Sequence, residues 1–82
     1  MEFNRVRWAS RRGMLELDLM LQPFVENVYP GLNEEDQHDY QQLLEQQDAD
    51  LFTWLLSHQT PKEPNLQRIV KIVRENSRKN TT

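Results

Sequence analysis

Leu66, Ile69, Val70 and Val73 fall at spacings of three, four and seven, and nowhere in the chain does an apolar–polar alternation persist between turn residues. Those two facts confine the chain to helices. Five helical segments can be read. Asn4 caps a first helix running from Arg5 to about Arg11, with Val6 and Trp8 as its apolar contribution. Met14, Leu15, Leu17, Leu19, Met20 and Leu21 drive a second, in which Pro23 predicts a bend or a break before Phe24, Val25 and Val28. Tyr29-Pro30-Gly31 is turn chemistry. Asn33, followed by Glu34, Glu35 and Asp36, starts a third helix that runs to about Gln46 with Tyr40, Leu43 and Leu44 inward.

Asp48 caps a fourth helix carrying Leu51, Phe52, Trp54, Leu55 and Leu56. Thr60-Pro61-Lys62-Glu63 reads as a capping box for the fifth, although Pro64, lacking an amide hydrogen, argues for a start one turn later. The last residues, Ser77 to Thr82, are expected to fray, as are the first three. The expected architecture is all-α: one domain over residues 1–82, a compact bundle of five short helices.

Eighty-two residues limit what such a bundle can do. A chain of this size buries roughly 60–65% of the surface its unfolded form exposes, enough for one modest core and not for a deep substrate cavity. With no cysteine, disulfides and thiolate metal sites are excluded, and a cytoplasmic, reducing location is compatible. The most apolar run, Met14 to Leu21, is interrupted by Glu16 and Asp18 and is too short to span a bilayer. No secretory signal is visible either.

Charge is sharply segregated. Residues 1–12 carry a balance of +3, residues 13–61 contain ten acids and no Lys or Arg, and residues 62–82 return +4. Either the basic ends pack near the acidic middle and neutralise part of it, or they offer a basic patch to an acidic partner. Nucleic acid suits this distribution poorly, because phosphate attraction is opposed by so large an acidic segment.

Motifs for catalysis or ligand binding are missing. The only glycines are Gly13 and Gly31, so no phosphate-cradling loop exists. His38 and His58 lie twenty residues apart and fit solvated helix faces better than metal-ligand spacing. Nothing places Ser10 or Ser57 beside a base. Trp54 reads as core. Trp8, set among arginines, reads as an anchor of the first helix, with an exposed interface position as the alternative.

Arg11-Arg12-Gly13-Met14-Leu15-Glu16 stands apart. In a continuous helix Arg12 and Glu16 would form an ordinary pair of ~0.3–0.5 kcal/mol. A glycine inside a helix costs about 1 kcal/mol relative to alanine, so Gly13 fits better at a junction, where its missing side chain lets another backbone approach. The result would be a small, charged docking surface.

At these residues the chain resembles the SdhE (YgfY-type) FAD assembly factors of succinate dehydrogenase. Their Arg-Gly-x-x-Glu hallmark is matched by Arg12-Gly13-Met14-Leu15-Glu16, flanked by Trp8-Ala9-Ser10-Arg11 and Leu17-Asp18. A second block, Leu43-Leu44-Glu45 through Asp48, Asp50, Leu51, Trp54 and Leu55, resembles the family's later helices. Two local departures are Pro23, in a helix that many relatives run without proline, and Ser57-His58-Gln59, which lacks the glycine often found there.

The resemblance implies an assembly chaperone with no active site or cofactor of its own. It would bind the flavoprotein subunit of succinate dehydrogenase, and often that of fumarate reductase, and promote covalent attachment of client-held FAD to a client histidine. By carry-over, Arg12, Gly13 and Glu16 would lie on the client-binding surface, with Arg11, Trp8 and Asp18 beside them. The rival reading is a regulatory, antitoxin-like protein whose partner is a small membrane protein.

Overall fold

The computed structural model describes the backbone of residues 2–79 and the side chains of residues 2–77. Five helices follow one another: α1 (Phe3–Ala9), α2 (Leu15–Asn27), α3 (Glu34–Leu44), α4 (Asp48–Leu55) and α5 (Pro64–Lys79), with a 3₁₀ turn at Tyr29–Gly31 between α2 and α3. The described residues contain no strand.

α5 is the central element because its apolar stripe is continuous. Leu66, Ile69, Val70 and Val73 are all buried, and the helix packs on α2, α3 and α4. Leu17, Leu21, Phe24 and Val25 of α2 face it, joined by Tyr40, Leu43 and Leu44 of α3 and Leu51 and Leu55 of α4. α1 docks on α2 through Val6. Trp54 packs against this core while remaining partly exposed.

Tyr40 lies at the heart of the core, its ring 5.1 Å from Phe24 and 5.4 Å from Tyr29. Its hydroxyl is 2.7 Å from Ser10 Oγ. Ser10 donates its one hydroxyl proton to the Val6 carbonyl at 2.9 Å, so Tyr40 donates to Ser10. Burial pushes the Tyr40 hydroxyl well above its ordinary range.

Several boundaries differ from the expected ones. α1 begins at Phe3, not Arg5, and Asn4 lies inside the helix instead of capping it; Phe3 gains a stacking contact with Tyr29 at 6.3 Å. α2 runs unbroken through Pro23. The ring removes the donor for the Leu19 carbonyl, but the gap falls on the outer face of the helix, between exposed Leu19 and half-buried Pro23. Asn33 does cap α3, accepting from the Asp36 amide at 2.8 Å. α3 stops at Leu44, two residues short of Gln46, and Asp48 is the first residue of α4, with Gln47 at the cap.

The capping box at Thr60 to Glu63 does not form: α5 starts with Pro64 in its first turn, where a missing amide hydrogen costs no helical bond. Gln67 instead holds the preceding loop, donating to the Pro61 carbonyl at 2.8 Å. The helix continues through Ser77 to Lys79, beyond the expected onset of fraying; Met1 and residues 80–82, also expected to fray, lie outside the described residues.

Candidate functional site

The segment between α1 and α2 is built around one side chain. Arg12 Nη1 donates to the carbonyls of Ala9, at 3.0 Å, and Leu44, at 2.9 Å. Nη2 donates to the Gln46 carbonyl at 2.9 Å, and Nε meets Asp48 Oδ1 at 2.7 Å. Ala9 and Leu44 are the last residues of α1 and α3, and Asp48 is the first of α4. One planar guanidinium thus gathers three helix ends. It places positive charge where two helices leave carbonyls without partners, and it engages the acid at the start of a third. The backbone completes the knot: Arg12 N donates to Asp18 Oδ1 in the first turn of α2 at 2.8 Å.

This arrangement links the two separated blocks that carry the resemblance. Arg12 belongs to the first, Leu44 and Asp48 to the second, and the guanidinium joins them. Its side chain is only 16% exposed. Arg12 therefore faces inward, bonded to the far block and not to Glu16 one turn away.

Gly13 has φ +77°, the left-handed conformation that favours glycine. The expectation of a close backbone approach is not met within the chain: no heavy atom lies within 4 Å of where a Cβ would project. The glycine is required by its torsion, and the space in front of it is open.

The remaining residues of the segment point outward. Trp8, expected as an anchor, is 70% exposed; the Arg11 guanidinium lies 5.7 Å from its ring centroid. Helix α1 is anchored by Val6 and by the buried Ser10–Tyr40 pair instead. Glu16 is exposed in the first turn of α2. Leu15 and Leu19, which should have helped to drive that helix, are 68% and 65% exposed. The helical period could have found them. With Leu17, Leu21, Phe24 and Val25 inward, residues 15 and 19 fall on the opposite face.

Of the six residues singled out from the sequence, Arg12, Gly13 and Asp18 shape the junction, whereas Trp8, Arg11 and Glu16 are presented by it. Leu15 and Leu19 join the presented set. Glu16 and Leu19 also border an apolar groove floored by Met20, Leu55 and Leu56.

The basic ends do meet the acidic middle. Arg12–Asp48 at 2.7 Å, Arg7–Glu26 at 2.9 Å and Arg68–Asp36 at 3.2 Å each join one to the other. Among the described residues, no cluster of three or more His, Cys, Asp or Glu could hold a metal ion, and no helix is long and apolar enough to cross a membrane.

Residues 4–77 match the Sdh5 family, described as the flavinator of succinate dehydrogenase. The FAD assembly factor SdhE of Shewanella oneidensis is 51% identical over 74 residues, covering 90% of each chain. That of Pseudomonas aeruginosa is 49% identical over 72 residues, 88% of this chain and 86% of its own. That of Pectobacterium atrosepticum is 43% identical over 70 residues, 85% and 80% of the two chains.

Proposed function

The chain belongs to the Sdh5 family of succinate dehydrogenase flavinators, and on that premise we propose that it is a cytoplasmic assembly chaperone. It binds the flavoprotein subunit of succinate dehydrogenase, and that of fumarate reductase, and promotes covalent attachment of FAD to a client histidine. One observation carries this reading: a tightly bonded junction holds Trp8, Arg11, Leu15, Glu16 and Leu19 in solvent, where none of them supports the core. An exposed tryptophan and leucines beside an arginine are the composition of an interface.

The flavin supplies the bond-forming chemistry, and this chain's residues supply position. Arg12 fixes the angle between α1 and α2, so the outward residues meet the client as one rigid surface. The open space in front of Gly13 admits client backbone at the centre of that surface. Glu16 fixes register against a client cation. Holding the client in one orientation brings its flavin and histidine together more often than free diffusion of its domains would.

The test is covalent flavin fluorescence, read in a denaturing gel, from purified flavin-free flavoprotein subunit incubated with FAD. The native chain should raise the signal several-fold, and Glu16→Arg, at an exposed position, should fold normally and fail to do so. Equal covalent flavin with Glu16→Arg, or with no added chain, would contradict the reading.

A further inference from the structure

Between α1 and α2 lies a cleft of about 200 Å³, lined by Asn4, Arg7, Trp8, Arg11, Gln22 and Glu26. Its two arginines are not equivalent. Arg7 is paired with Glu26 at 2.9 Å, so those two charges cancel. Arg11 is exposed, lies 5.7 Å over the Trp8 ring and has no carboxylate within ion-pair distance among the described residues. The cleft is left with one net positive charge on a guanidinium that an aromatic face already orients.

We propose that this cleft receives a single carboxylate side chain from an acidic segment of the client, with Arg11 as its anchor. This deepens the client-binding reading above and rests on it. A guanidinium laid against an indole keeps its donor edge in solvent, where it can take both oxygens of a carboxylate. The side-chain amides of Asn4 and Gln22 stand in the same cleft as further donors. Trp8 covers one face of the guanidinium, leaving its edge to the guest. One carboxylate neutralises the single net positive charge of the cleft, whereas a doubly charged phosphate would leave a negative charge over beside Glu26. The +3 balance of residues 1–12, only partly met by Glu26 and Asp48, thus acquires a use outside the chain.

Titration of the native chain, Arg11→Lys, Arg11→Ala and Arg11→Glu into the flavin-free flavoprotein subunit, followed by calorimetry at two salt concentrations, tests this. Arg11→Glu should weaken binding about tenfold or more and Arg11→Lys by less, while Arg11→Ala should flatten the salt dependence. All three should keep the native circular dichroism, since the Arg11 side chain makes no hydrogen bond or ion pair among the described residues. If Arg11→Glu binds within about twofold of the native chain while Glu16→Arg does not bind, the cleft proposal falls and the chaperone reading stands. If inorganic phosphate displaces the client from the native chain more effectively than chloride at equal ionic strength, the guest is not a carboxylate. Failure of the native chain to bind the client overturns both.

Discussion

Helix α5 and the α1–α2 junction obey opposite rules. In α5 the apolar side chains Leu66, Ile69, Val70 and Val73 are buried while Gln67, Arg68 and Lys71 face water. At the junction a guanidinium is turned inward, and a tryptophan and two leucines are turned outward. The first arrangement is what hydrophobic burial produces unaided. The second opposes it and survives because Arg12 has five N–H donors in one plane and finds three carbonyls and a carboxylate to receive them. On the proposed reading, the inversion marks the part of the molecule that meets the client.

The largest test of that contrast is Arg12→Ala. It would leave the carbonyls of Ala9, Leu44 and Gln46 and the Asp48 carboxylate without their donor. A loss of about 2–4 kcal/mol in urea unfolding is expected. Arg12→Lys should rescue little of it, because an ammonium cannot serve three separated acceptors in a plane. A loss below about 0.5 kcal/mol would put Arg12 among the surface residues instead.

Gly13→Ala comes next. At φ +77° an L side chain costs roughly 1–2 kcal/mol, here with no steric clash to add to it. The same unfolding measurement should show that loss, and a neutral result would mean that the junction relaxes out of the left-handed conformation.

The smallest effect is expected at His58, which has φ +59° just after α4. His58→Gly should raise stability by about 0.5 kcal/mol, the relief of left-handed strain less the added freedom of the unfolded chain. A decrease would show that the imidazole contributes contacts that outweigh its backbone strain.

The α5 stripe was legible because periodicity alone determines it: Leu66, Ile69, Val70 and Val73 are all buried as their spacing requires. The Asn33 cap and the turn at Tyr29-Pro30-Gly31 were legible from local chemistry. Membership of the family followed from Arg12-Gly13-Met14-Leu15-Glu16 and the block around Asp48. The inward course of Arg12 was not legible, since its acceptors lie 32, 34 and 36 positions away at Leu44, Gln46 and Asp48. Long-range hydrogen bonds leave no periodic trace. The exposure of Trp8 was missed for a related reason: Ser10 and Tyr40, 30 positions apart, replace it as a tether for the end of α1. Leu15 and Leu19 could have been placed outward by period, had each leucine been assigned to a face instead of being counted toward helicity.

The most direct measurement pairs stability with binding in the double variant Leu15→Ala, Leu19→Ala. Both side chains are more than 60% exposed, so unfolding free energy should stay within about 0.5 kcal/mol of the native chain. Affinity for the flavin-free flavoprotein subunit should fall by about tenfold or more, which is about 1.4 kcal/mol or more of lost contact. A variant that unfolds several kcal/mol more easily yet binds the flavoprotein as the native chain does would contradict the account.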